Sequence, residues 1–295
     1  MNMWVRGRHV THAVFVLLCI SFMRVDLAAL RNYLRRPAIV LSATAWTTIG
    51  VPLMTGLVFR ISGFDMHAPD LHLALMLQAA ASPMMASPAL AALMGLDATL
   101  VLITLVTSTA LVPFTAPLFA YAFFGDALSL SPLALGLKLV AILAGALLVA
   151  IAIRICFGAA AISRQKTAID GFNILVLLVF VAAVMGNVAG GLLADPWRMI
   201  GLAALAFAVC LSLLGVTVLI FFRAGRERAL SLGLMVSQRN MGLMLAATEG
   251  ALPGTTWLYF ALSQFPIYLA PQLLQPLLRR LLAPPAVTAA TSADA

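Results

Sequence analysis

The stretch Ser237–Gly242 reads SQRNMG, and it lies between the apolar runs LSLGLMV (230–236) and LMLAA (243–247). Three polar side chains, Gln238, Arg239 and Asn240, interrupt what is otherwise a lipid-compatible helix. A charged side chain at bilayer depth costs from about 3 kcal/mol upward. Irregular backbone at that depth survives only where it is buried in protein or lines a wet cavity. The stretch therefore marks a broken helix built around a site.

The rest of the chain supplies the membrane setting. Of its 295 residues 63% are hydrophobic and only 9% are charged, against roughly 25% charged in a soluble domain. A spanning helix needs about 20 apolar residues. Apolar windows near 9–23, 38–59, 70–94, 98–123, 131–154, 168–191, 197–222, 229–250 and 255–281 predict about nine transmembrane helices and a single all-α polytopic domain over 1–282. The first window is short. The loops around 24–36 and 155–167 are the longest, and the small, polar tail 283–295 reads as disordered.

Charge gives orientation. Arg24, Arg31, Arg35, Arg36, Arg154, Arg164, Lys166, Arg223, Arg226, Arg228, Arg279 and Arg280 fall on one side of a nine-span layout. Arg6, Arg8, Arg60 and Arg198 fall on the other. Twelve against four places the first set, and the C-terminus, in the cytoplasm of a cell with an inner (plasma) membrane. The net charge of +8 is then cytoplasmic anchoring charge, and nucleic acid is not an expected partner. The expected partners are the bilayer and an anionic small molecule.

The third span carries a second interruption, ASPMMASPAL (81–90), with Pro83 and Pro88 five apart. Each proline removes a backbone donor and crowds the preceding turn. The third and eighth spans are five apart, so they run in opposite directions. Interrupted helices in corresponding positions of two inverted halves, here about 9–124 and 131–281, point to a transporter substrate site.

Other chemistries find little support. There is no HExxH, no GxSxG, no paired intramembrane aspartates and no GxxxxGK, so neither a membrane-embedded enzyme nor direct ATP drive is expected. Cys19, Cys156 and Cys210 are too far apart for metal-ligand spacing and read as buried apolar residues. His9, His12, His67 and His72 read as interfacial. Asp97 and Glu249 read as loop charges at helix ends. The candidate substrate-binding residues are Arg239, Asn240, Gln238, Ser82, Ser87, Thr104, Thr107, Ser108 and Gln264. Gln238 and Asn240 are expected to act mainly as polar bridges. The hydroxyls of the fourth span are as well explained by bonds back to their own helix.

The segments SPMMASPALAALMGLDATL (82–100), LVPFTAPLFA (111–120), RALSLGLMVSQRNMGLMLAATEG (228–250) and FMRVDLAALRNYLRRPAIV (22–40) resemble the bile acid:sodium symporter superfamily. The resemblance covers most of residues 22–281 and is carried more by layout than by motif. It implies two inverted repeats whose broken third and eighth spans cross. It also implies a core of spans two, three, four, seven, eight and nine, a panel of spans one, five and six, and substrate bound behind the crossing.

The chain departs from that family at the sodium ligands. Met235 stands where sodium-coupled members have a glutamate, and Arg239 stands at the following glutamine. Pro88 falls on an asparagine, Val101 and Leu105 on hydroxyl ligands, and the region of Thr47 on a glutamine. Met, Pro, Val and Leu offer no oxygen to a hard cation, so no metal or cofactor is expected and Arg239 is expected to stand where the ions would be. The function implied is secondary transport of a small organic anion or amphipathic carboxylate by alternating access, with the coupling ion left open. The alternatives are a non-transporting scaffold or sensor of the same fold, and an arsenite- or auxin-like efflux carrier. The absence of a cysteine in the broken third span counts against a thiolate path for arsenite.

Overall fold

A computed structural model describes residues 3–23, 37–63, 67–124, 131–186, 188–248 and 252–282. Expectations about the 24–36 loop, Glu249 and the 283–295 tail lie outside the described residues. Among the described residues the chain is helical, with no strand. Helix fills most of the described part of each apolar window, and five helices are long and apolar enough to cross a membrane: Pro37–Ser62, Ala98–Phe123, Pro132–Gly158, Lys166–Ala194 and Pro196–Ala224. Their outer faces are apolar: Leu148, Ile155, Phe157, Leu193 and Leu219 are all exposed. The chain is an all-α membrane protein.

We name the helices in chain order. Helix α1 is Met3–Met23, longer than its apolar window because it continues through Arg6 and Arg8. Helix α2 is Pro37–Ser62, with a π-helical segment at Trp46–Gly50. Helices α3 (Pro69–Ala80) and α4 (Ser87–Leu93) are the halves of the first broken element, and α5 is Ala98–Phe124. Helix α6, Pro132–Arg164, takes in the expected 155–167 loop. That stretch is not a loop, because AAAIS (159–163) is a good helix former and the chain turns at a single residue, Gly158 (φ 76°, ψ 152°), where glycine has no steric cost. Then follow α7 (Lys166–Met185), α8 (Val188–Ala194) and α9 (Pro196–Phe221). The second broken element is α10 (Arg226–Ser237) and α11 (Met241–Thr248). The last window is also divided, into α12 (Gly254–Leu262) and α13 (Gln264–Leu282). Pro266 explains this break, since it withholds the donor that the Leu262 carbonyl would use.

Helix α1 packs on α6, α7 and α11. A second group forms around α9 with α10, α12 and α13, and around α5 with α2, α3 and α4. Two buried clusters result. One joins α1, α6 and α7 to α11 and α12. The other fills the space between α2, α5 and α10 and includes Val101, Leu105 and Met235.

Several surface expectations change. Cys19 and Cys210 are buried but Cys156 is exposed, because it faces outward on α6, where most side chains meet lipid rather than protein. His72 is buried edge-on against Phe59, with ring centroids 5.4 Å apart, so it packs inside the helix group rather than at a surface. Asp97 is a helix cap and not a loop charge: its Oδ1 accepts from Leu100 N at 2.9 Å, while its own N–H donates to Ser231 Oγ at 2.9 Å.

Candidate functional site

The two broken elements meet. After α3 the chain leaves helical geometry at Ala81 (ψ 152°), and after α10 it does so at Gln238 (ψ 92°). The extended residues pair as an antiparallel bridge between Pro83 and Arg239. Met84 N donates to Gln238 O at 2.7 Å, and Asn240 N donates to Ser82 O at 2.8 Å. Pro83 and Arg239 face each other as the pair that exchanges no hydrogen bond of its own. A proline is therefore harmless at the centre of this bridge, since no partner asks for its missing N–H.

Each break has a local cause. Pro83 cannot continue the ladder of α3, and Pro88 lies in the first turn of α4, where a missing donor is tolerated. On the other side Asn240 restarts the helix, its Oδ1 accepting from Leu243 N at 3.1 Å. This is N-cap geometry, and asparagine is among the best caps.

Arg239 is completely buried. Its Nη1 donates to Ala81 O at 2.9 Å and to Thr47 O at 3.4 Å. The second acceptor exists because of the π-helical segment. Val51 N, the usual donor to Thr47 O, bonds Trp46 O instead. The next donor in π geometry would be Pro52, which has no N–H. Thr47 thus offers its carbonyl across the protein, and Arg239 ties α2, the end of α3 and its own strand together. Trp46 anchors the same segment to α9 through Nε1 to Thr217 Oγ1 at 3.0 Å.

The other candidates divide. Ser82, Ser87, Thr104 and Ser108 are buried, and among the described residues their hydroxyls have no hydrogen-bond partner. Thr104 and Ser108 do not bond back to their own helix. Thr107 does, to Ile103 O at 3.0 Å and Thr104 O at 3.1 Å, and it also meets Thr44 Oγ1 on α2 at 2.7 Å. Thr107 is thus a helix-packing residue on the α2 side. The polar bridging expected of the Gln238 and Asn240 side chains is a main-chain property instead. Asn240 spends its side chain on the cap. Gln238 turns toward α9, with Nε2 4.0 Å from Cys210 Sγ and Oε1 without a partner among the described residues. Gln264 donates to Phe260 O at 3.3 Å.

A cleft of about 190 Å³ lies between α1, α7 and the crossing. Its polar lining comes from Ser21, Asn173, Asn240 and Gln264, with Leu17, Phe180 and Tyr268 among the apolar walls. Arg239 stands in this wall with no surface exposed. Ser21 and Asn173 are absent from the sequence candidates. Asn173 carries a readable signal, an asparagine within the apolar run GFNILVLLVF (171–180). Gln78 and Tyr259 are also new: the Tyr259 hydroxyl donates to Gln78 Oε1, joining α12 to α3 just before the break. Nothing in the sequence pairs them. A larger cavity of about 600 Å³ lies between α1, α6 and α7 but is lined almost wholly by apolar side chains.

Three of the positions that the resemblance assigns to sodium have apolar surroundings. Met235, Val101 and Leu105 are buried within an apolar cluster. No protein-family model matches this chain, and no curated protein matches it.

Proposed function

We propose that the protein is a secondary transporter that moves a small organic anion or amphipathic carboxylate across the inner membrane by alternating access. The observation that carries this reading is the antiparallel bridge between the two broken elements, set in the wall of a cleft. Two helices interrupted at one depth and running in opposite directions are the mark of inverted-repeat carriers, which bind substrate at the break. On this reading the nine helical windows are nine spans in two inverted repeats. Helices α1, α6, α7 and α8 form the panel, and the remaining helices form the core that moves against it. This is the layout of the bile acid:sodium symporter superfamily.

The cleft favours a small amphipathic solute. Its volume is below the roughly 300–1,000 Å³ typical of drug-sized ligand sites. Its lining is mostly apolar, with Asn173, Asn240 and Gln264 available to a polar head. Arg239 supplies a positive field behind the wall, which favours an anion. Sodium is not required, because the guanidinium already supplies the cation at the crossing.

Uptake into proteoliposomes of a labelled medium-chain carboxylate such as octanoate tests the proposal. Saturable uptake is expected, equal in sodium and potassium media, with Arg239→Gln slowing it by more than tenfold. A folded wild-type protein that gives no saturable flux for carboxylates would leave a scaffold or sensor as the better reading. An Arg239→Gln protein as fast as wild type would remove Arg239 from the site.

A further inference from the structure

The geometry points to an occluded site for a small inorganic anion, of the size of chloride, at the free edge of the Arg239 guanidinium. The guanidinium has five N–H donors. Nη1 is used on Ala81 O and Thr47 O, while Nε and Nη2 have no partner among the described residues. Nε and Nη2 carry the two parallel N–H bonds of one edge, the arrangement that grips an anion in bidentate fashion. A fully buried cation whose best edge is unpaired is costly to fold into a membrane protein unless an acceptor sits there.

The helices that pack about the two breaks carry further buried hydroxyls. Ser82 lies beside Arg239 across the bridge, since its carbonyl accepts from Asn240 N. Ser87 opens α4 after the same break. Thr104 and Ser108 stand one turn apart on α5, which packs on α3, α4 and α10. All four hydroxyls are buried, and none has a partner among the described residues. Each has a proton to give. Gln238 Oε1 is a further acceptor without a partner among the described residues, its carboxamide turned toward Cys210 on α9. The described acids, Asp70, Asp97, Asp170, Asp195 and Glu227, stand at or near helix starts, and the hydrogen bonds of Arg239 go to carbonyls alone. The hydroxyls can also accept, but none of these groups carries a negative charge, so the buried guanidinium calls for an anion.

Burial sets its size. Arg239, Ser82, Ser87, Thr104 and Ser108 have no exposed surface, so a carboxylate with a carbon chain has nowhere to put its body. This site borders the cleft that Arg239 also lines, but it is read by binding, so it stands or falls separately from transport.

The test is the thermal midpoint of the purified full-length protein, titrated with sodium chloride, sodium formate or sodium gluconate at constant ionic strength. Chloride is expected to raise the midpoint continuously once it exceeds its Kd, by mass action, and gluconate is expected to leave it unchanged. Arg239→Gln is expected to abolish the chloride response. Should that variant fail to fold, Ser87→Ala and Ser108→Ala decide, each needing about tenfold more chloride for the same rise. A wild-type midpoint indifferent to chloride overturns the inference, as does a chloride response unchanged in the serine variants. Stabilisation by formate without stabilisation by chloride also overturns it and assigns the edge to a substrate carboxylate.

Discussion

The two breaks reach one bridge by opposite means. The first, residues 81–86, is poor in donors: Pro83 withholds its N–H, and beside the single Met84 N–H the segment offers the carbonyls of Ala81 and Ser82. The second, residues 238–240, is made by excess of donors: Asn240 N–H and the guanidinium reach across to those carbonyls. Neither segment could be satisfied alone at bilayer depth, where unpaired backbone groups are costly. Together they close most of each other's hydrogen bonds. The difference teaches that a break in a membrane helix is best understood with its partner, as one half of a donor–acceptor match.

That contrast can be broken most sharply at Met84. Its N–H is the donor to Gln238 O, so Met84→Pro is expected to cost about 3 kcal/mol or to prevent folding, read as a lowered thermal midpoint or loss of monodisperse protein. Asn240→Ala is expected to cost about 1 kcal/mol through loss of the cap, with Asn240→Asp close to wild type, by the same measurement. Pro83→Ala is expected to have the smallest effect, about 0.5 kcal/mol, arising in the unfolded chain. If Pro83→Ala proves as damaging as Met84→Pro, the bridge pairing described above is wrong.

Both breaks are legible in the residues: two prolines five apart in one run, three polar side chains in another. The capping role of Asn240 is legible only once the helix start is known. That the segments touch is implied only by the family resemblance and is not legible in the residues themselves, because pairing is set by the packing of α3 and α10 on α5 and α9. The π-helical segment at Trp46–Gly50 is harder still. Pro52 is visible, but proline early in a helix usually signals only a start. The carbonyl it leaves open matters because Arg239, 192 residues away, arrives to take it. The Gln78–Tyr259 bond is invisible for the same reason, since each residue alone reads as an ordinary polar group in a helix. Along the last helices, the amphipathic and proline-bearing run after Ser263 conceals a division that only Pro266 hints at.

The bridge is made by main-chain atoms: Met84 N, Gln238 O, Asn240 N and Ser82 O. A joint of that kind is indifferent to what the side chains at 82, 84 and 238 are. Those positions can change in the course of evolution, and with them the chemistry of the surrounding walls, while the mechanical cross stays intact. On the transport reading proposed above, selectivity and architecture are thereby uncoupled within six or seven residues, and the chemistry of the walls can change without rebuilding the cross.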